Sequence, residues 1–206
     1  MGIEKLRWID ISLPDPSDNL HLDEELLANA AGVLRVWETA NECIVMGRNG
    51  KAECELNVEA CGADGIPVLR RCSGGGTVVL GPGCLNYALV LPLGWDASWN
   101  DVTYSQQWVM QRMREALAIP GLKLEGESDL ALAGRKVSGN SQRRTRQAFL
   151  HHGTLLYNFD ACLVERLLQI PARQPAYRAG RGHGAFLTNI PLSAQKIKHR
   201  LASAWC

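Results

Sequence analysis

The sequence predicts an α+β fold in which mixed, mainly antiparallel sheets are flanked by helices. Three features point there. Short runs rich in β-branched and aromatic residues occupy the middle of the chain, each broken by glycine or proline. Helical periodicities lie before and after them. The chain has 206 residues, the length of one large domain with its own core, and shows no internal repeat.

In chain order, residues 16–30 set Leu20, Leu26 and Leu27 among acids after a Pro-Ser-Asp start, predicting a helix capped by Ser17 or Asp18. Val33–Trp37 and Cys43–Met46 read as strands across a polar turn, and residues 66–69, 77–80 and 85–91 continue the pattern. Residues 101–119 place Val102, Val109, Met113, Ala116 and Leu117 at helical spacing and stop at Pro120-Gly121. Short strands follow at 122–124, 129–133 and 149–157. Asp160 opens a helix carrying Leu163, Val164, Leu167 and Leu168 that stops at Pro171, and Ser193 caps a last helix with Ile197, Leu201 and Trp205 in steps of four. Residues 172–184, rich in Gly, Pro and Arg, read as a mobile loop that could order over a ligand.

Composition narrows the function classes. A net charge of +1 gives no footprint for nucleic acid, and no apolar run approaches a membrane span. The seven cysteines form no Cys-x-x-Cys pair or zinc spacing, and the Met1-Gly2-Ile3-Glu4 start carries no signal peptide. The expectation is a cytoplasmic protein with reduced thiols.

Three glycine-bearing segments could carry chemistry. Arg70-Arg71-Cys72-Ser73-Gly74-Gly75-Gly76-Thr77-Val78 is either an anion cradle of backbone amides or a tight turn between strands; it has neither P-loop nor dinucleotide-fingerprint spacing. In Gly134-Arg135-Lys136-Val137-Ser138-Gly139-Asn140, Lys136 could oppose charge developing on a carboxylate or phosphate, or be an exposed edge-strand lysine. In His151-His152-Gly153-Thr154, strand alternation sends one histidine to each face, so only one can join a given pocket. Asp129 could hold Mg²⁺ or water, or be a solvated carboxylate. Arg143, Arg144 and Arg146 form a basic cluster, for phosphate or an acidic partner, or simply a solvated loop.

Together these segments resemble the lipoate-protein ligases of the biotin/lipoate protein ligase superfamily, over about residues 20–189. Leu22-Asp23-Glu24-Glu25-Leu26-Leu27 is similar to the family's first helix and Val45-Met46-Gly47-Arg48 to its second-strand motif. Arg70-Arg71-x-Ser73-Gly74-Gly75-Gly76, Gly134-Arg135-Lys136-Val137-Ser138-Gly139 and His151-His152-Gly153-Thr154-Leu155-Leu156 are similar to its most specific signatures. The resemblance implies a class II synthetase-like catalytic domain over residues 1–206. It also implies a two-step reaction, in which lipoate or octanoate and ATP with Mg²⁺ give an acyl-adenylate whose acyl group passes to a lysine of a lipoyl acceptor domain. By the same resemblance Arg71, Ser73, Gly74, Gly75 and Gly76 surround acyl chain and phosphate, with Ser138, Gly139, His152, Gly153 and Thr154 completing the substrate site. Lys136 is the catalytic cation, while Asp129, Lys136, Asn86 and Val78 meet the nucleotide and Asp129 its metal.

Three departures mark the chain. Leu80-Gly81-Pro82-Gly83-Cys84 replaces the ligases' His-Asp and Gly-Asn after the triple glycine. Gly81-Pro82-Gly83 is similar instead to the superfamily's octanoyltransferases, which need no ATP and work through a cysteine thioester. That makes Cys84 the alternative catalytic residue, if Lys136 or His152 approached and activated it, with Cys72 behind it. The chain also ends near Cys206 without the C-terminal domain of bacterial ligases, which points to a separate accessory subunit. The remaining alternative is a catalytically silent acyl- or adenylate-binding module.

Overall fold

The structure, a computed structural model, describes residues 5–206; the Met1–Glu4 start lies outside them. The elements run β1 (Arg7–Asp10), α1 (Pro16–Ala28), β2 (Val33–Trp37), β3 (Cys43–Met46), α2 (Ala52–Glu55), α3 (Val58–Ala63), β4 (Val68–Arg70), β5 (Val78–Leu80), β6 (Cys84–Pro92), α4 (Val102–Leu117) and β7 (Leu122–Glu125), followed by β8 (Asp129–Leu132), β9 (Arg135–Ser138), β10 (Asn140–Arg144), β11 (Ala148–Leu156), α5 (Ala161–Leu167), α6 (His183–Phe186) and α7 (Ala194–Trp205).

A five-stranded sheet, ordered β1-β2-β6-β11-β10, forms the platform. Its pairs are antiparallel except β1 with β2. Two three-stranded sheets flank it, β4-β3-β5 and β7-β8-β9. The predicted class, mixed and mainly antiparallel, is the observed one.

Side-chain alternation along β6 and β11 gives the platform two different faces. Leu85, Tyr87, Leu89, Leu91, Phe149 and Leu155 bury against Val109, Met110, Met113 and Leu117 of α4 and Ile197, Leu201 and Trp205 of α7. On the opposite face Ala88, Val90, Ala148 and Leu150 pack against Leu26 and Leu27 of α1. A second core joins β3 and β5 to α5. The two nine-residue strands are buried along nearly their whole length, so they are the rigid elements on which loops can be held.

Local chemistry fixes the helix ends. Asp101, Asp160 and Ser193 cap α4, α5 and α7 as polar residues just before apolar runs do. For α1 the cap is Asp15, whose carboxylate accepts from the Ser17 amide at 2.7 Å, and not Ser17 or Asp18. Pro16 then stands at the first helical position, where its missing N–H costs nothing. Helix α5 ends at Leu167 and not at Pro171, because Leu168 bridges to Leu56.

The polar run Asn140–Arg144 is a strand and not a loop. It forms the platform's edge on β11, with Arg144 donating to Ser105 Oγ at 2.9 Å and to the Trp99 carbonyl at 2.5 Å. Residues 172–184 are partly packed against the fold. They contain a 3₁₀ turn at Ala176–Arg178, and Arg178 and His183 are buried. One feature had no sequence signal: the fully buried Arg35 guanidinium bonds Asp23 at 2.5 Å and the Asn19 side chain at 2.5 Å, pinning α1 to β2. Burial holds the Asp23 carboxyl up at about 6 despite this partner.

Candidate active site

The glycine loop is built from its carbonyl side. The Arg71 guanidinium folds back and donates to the Gly74 carbonyl at 2.6 Å, the Gly76 carbonyl at 2.8 Å and Ser73 Oγ at 3.0 Å. Ser141 Oγ, from the edge strand, also donates to the Gly74 carbonyl at 3.0 Å. Among the described residues the Gly74, Gly75 and Gly76 amides donate to no protein group. Tied carbonyls with untied amides make a donor-rich concavity, the arrangement an anion cradle requires. Gly75 has φ +87°, which an L side chain rarely adopts. Burial lowers the Arg71 pKa to about 10, still protonated at neutral pH.

His152 joins this loop and His151 does not. His152 Nε2 lies 2.5 Å from Ser73 Oγ, on the α1 face of the platform. His151 points the other way, its Nε2 3.2 Å from the Met110 sulfur. Burial brings both imidazoles down to about 3, helped at His152 by the nearby Arg71 charge, so both are neutral. A neutral His152 places no charge beside the glycine loop.

The cation arrives from the third sheet. Lys136 Nζ pairs with Asp129 Oδ1 at 2.8 Å, β9 to β8, and the lysine remains 27% exposed. Its end lies over Gly139, where an added Cβ would come within 2.9 Å of both Cε and Nζ. The Gly139 carbonyl accepts from the Thr154 amide at 3.2 Å, so the lysine's resting place is bonded to the strand that carries His152 and Gly153. Tyr177 donates to the other oxygen of Asp129 at 2.7 Å. Burial and then this carboxylate push the phenol's pKa upward.

Not every expected site residue converges here. Ser138 Oγ is buried and engaged with the Asn140 side chain at 3.0 Å. Asn86, paired with Thr154, shares the His152 face and donates to the Trp37 carbonyl at 3.3 Å. Val78 sits on β5 opposite Val45, beside the second core.

Cys84 is corrected most firmly. It is the first residue of β6, fully buried among Cys43, Leu80, Leu156 and Phe159. Its partner Leu156 lies four residues along β11 from His152, about 13 Å at strand rise. Burial drives its thiol far up, away from a thiolate, and neither Lys136 nor His152 approaches to activate it. Cys72, half-buried, is also pushed up to about 11 by burial.

Sequence reasoning missed Tyr177, Ser141 and the Asn140 side chain. A lone tyrosine in an Arg- and Gly-rich stretch was the only signal for Tyr177, and nothing local ties it to a carboxylate 48 positions earlier.

Fold and site together set a glycine loop with untied amides and a carboxylate-held lysine on an antiparallel platform. The chain belongs to the lipoyl protein ligase A/B catalytic-domain family, whose sequence profile matches residues 15–203. A protein of Aeropyrum pernix provisionally named lipoate-protein ligase A is 31% identical over 196 residues, covering 92% of this chain and 70% of that protein. Lipoate-protein ligase LplJ of Bacillus subtilis is 33% identical over 149 residues, covering 71% of this chain and 44% of LplJ. The chain thus spans under half of LplJ. A crystal structure of lipoate-protein ligase A bound with ATP superposes with a TM-score of 0.82 at 19% identity, covering 97% of this chain and 83% of that one. The bipartite lipoate protein ligase of Thermoplasma acidophilum, described together with its E2 lipoyl domain, gives 0.80 at 21% identity, covering 97% and 82%. Among the described residues no helix is long and apolar enough to cross a membrane.

Proposed function

We propose that the chain activates lipoate, or octanoate, with ATP and transfers the acyl group to a lysine of a lipoyl acceptor domain. One set of contacts supports this reading: Ser141, which binds the glycine loop with its untied amides, stands two residues from Gly139, over which the Lys136 ammonium lies, while the cysteines put forward as nucleophiles, Cys84 and Cys72, are held as thiols. A site equipped to stabilise anionic oxygen and lacking an activated thiolate suits adenylation better than thioester exchange.

In the first step the substrate carboxylate oxygen bonds to the α-phosphorus of ATP and pyrophosphate leaves. Negative charge gathers on the α-phosphate oxygens, where Lys136 and the loop amides oppose it. Asp129 orients the lysine, and neutral His152 with Ser73 lines the acyl chain. In the second step the acceptor's lysine amine attacks the acyl carbonyl and AMP departs. Among the described residues no three His, Cys, Asp or Glu side chains stand together as a metal cage. Each Asp129 oxygen keeps a lone pair beyond its Lys136 or Tyr177 contact, so a Mg²⁺ fits here as one that comes with ATP. It would take phosphate and water oxygens and at most this single carboxylate.

The test incubates the protein with lipoate, MgATP and an acceptor domain, reading pyrophosphate release and acceptor mass. Lipoate-dependent pyrophosphate and an ATP-dependent mass gain are expected, with activity kept in Cys84→Ala. Should a separate accessory subunit be required, adding it restores transfer without altering the ATP requirement. ATP-independent acylation lost on Cys84→Ser would overturn the reading in favour of the transferase; adenylate binding with no transfer to any acceptor would leave a silent binding module.

A further inference from the structure

Asn140 touches β6, β9, β11 and the residue that precedes β8, yet the mechanism above does not use it. Its Nδ2 donates to the Ser128 carbonyl at 2.6 Å and to Ser138 Oγ at 3.0 Å, and its Oδ1 accepts from Tyr87 OH at 2.5 Å. Ser128 Oγ returns a bond to the Asn140 carbonyl at 2.8 Å, closing a two-way clasp. The partners fix the amide's orientation, since a backbone carbonyl only accepts. The side chain also lies directly over Gly153, where an added Cβ would come within 1.9 Å of Oδ1.

These contacts fall on the neighbours of the residues that seat Lys136. Ser128 immediately precedes Asp129, the lysine's partner. Gly139, on which the lysine end rests, immediately precedes Asn140. Gly153 is paired with Asn140 and follows His152. Tyr87 anchors the clasp to β6, which is buried along nearly its whole length, being itself 1% exposed. At the chain reversal between β9 and β10 Ser138 and Asn140 flank a single glycine, so the clasp sits where the third sheet passes into the platform.

We infer that Asn140 is a positioning residue: its bonds to Ser128, Ser138 and Tyr87 hold Asp129, and through it Lys136, in register with the glycine loop and His152. The inference rests on the adenylation reading for its kinetic consequence, but the geometry of Lys136 can be tested without turnover.

Asn140→Asp preserves shape but sets a carboxylate oxygen against the Ser128 carbonyl, acceptor against acceptor. The probe is a non-hydrolysable lipoyl-adenylate analogue with a sulfamoyl group in place of the phosphate, titrated by calorimetry. Asn140→Asp should weaken analogue binding at least tenfold and lower kcat for lipoate-dependent ATP–pyrophosphate exchange at least tenfold, with KM for lipoate within threefold. Lowering the pH should recover part of the loss, because the protonated carboxyl can donate to the Ser128 carbonyl. A general structural defect predicts no such rescue. Combined with Lys136→Met, Asn140→Asp should add almost nothing to the loss of analogue affinity, since it acts through that lysine. Tyr87→Phe, which removes only one bond of the clasp, is the second variant if Asn140→Asp does not fold, and should cost threefold to tenfold in both measurements. Fully multiplicative losses with Lys136→Met, or analogue binding within threefold of the parent in both clasp variants, overturn the inference. A parent that binds the analogue but shows no exchange sinks the adenylation reading instead and leaves the placement of Lys136 standing.

Discussion

Lys136→Met deletes the cation while keeping the bulk of the side chain, and its cost can be worked from the site. An ammonium about 4 Å from an α-phosphate oxygen is worth about 4 kcal/mol at an effective dielectric of about 20. Lys136 is 27% exposed, which reduces this to about 3 kcal/mol, on the order of 10²-fold in rate. The substitution also strips Asp129 of its partner, and that carboxylate is only 12% exposed. Left bare about 6 Å from the phosphate, it repels the developing charge by a further 1–2 kcal/mol or so after screening. The single variant should therefore lose roughly 10³-fold in lipoate-dependent ATP–pyrophosphate exchange. Asp129→Asn combined with Lys136→Met removes the stranded charge and should recover about tenfold. Transfer from synthetic lipoyl-adenylate, assayed separately, should suffer less than exchange. An exchange rate within threefold of the parent, or a double variant slower than Lys136→Met alone, would refute the assignment of Lys136 and Asp129 to one electrostatic unit.

Gly47→Ala should displace the glycine loop without touching a catalytic group, because the new Cβ would lie 1.9 Å from the Gly75 carbonyl oxygen, backbone against backbone. Calorimetric lipoate affinity should fall at least tenfold while the far-ultraviolet dichroism stays that of the parent; unchanged affinity would show that the loop is not held by this contact. Acid stability follows from the buried histidines. The unfolded chain takes up protons below about pH 6.5, whereas His151 and His152 resist protonation down to about 3. The stability they confer is complete above pH 6.5 and is lost as pH falls, about 2 kcal/mol per histidine by pH 5. Asp23, held up at about 6, runs in the opposite sense and gives back about 1 kcal/mol as it protonates. Urea unfolding should register a net loss near 3 kcal/mol between pH 7.5 and 5, and a flat profile would contradict neutral burial of the histidines.

What the sequence displayed and what it concealed divide along physical lines. Helix α4 and strands β6 and β11 were legible because burial forces a long apolar periodicity on them, and Ser193 and Asp160 marked helix starts through chemistry confined to one turn. Strand β10, Asn-Ser-Gln-Arg-Arg, carries no such period, since as an edge strand it owes its conformation to β11 and to the grip of Arg144 on Trp99 and Ser105. Strand β1 hid for a similar reason: its four residues pair in parallel with β2 across a helix, a long-range fact with no local pattern. At the site, alternation showed that only one histidine joins a given pocket, the family resemblance singled out His152, and the glycines and Lys136 could be proposed from residue type. The partners that orient them could not, because Tyr177, Ser141 and Asn140 act through contacts set by tertiary packing.

The same distinction explains Gly81-Pro82-Gly83-Cys84, the stretch where ligase and transferase patterns part. Gly83 has φ +84°, and a Cβ there would lie 2.1 Å from the Asn158 carbonyl oxygen. Its own carbonyl accepts from both the Tyr157 and Asn158 amides, at 2.9 and 3.1 Å, while the Cys84 amide donates back to the Gly81 carbonyl at 3.1 Å. Gly-Pro-Gly is thus a tight turn that must slide beneath the end of β11, a packing demand that any chain crossing there would face. The turn then delivers Cys84 into the first position of a fully buried strand, where its sulfur meets Cys43 and Phe159 and no cation. A sequence likeness to cysteine-dependent enzymes at this point therefore reflects backbone geometry, and it transmits no nucleophile to the site. The proposed adenylation therefore rests on the cation that a carboxylate holds on the third sheet, Lys136.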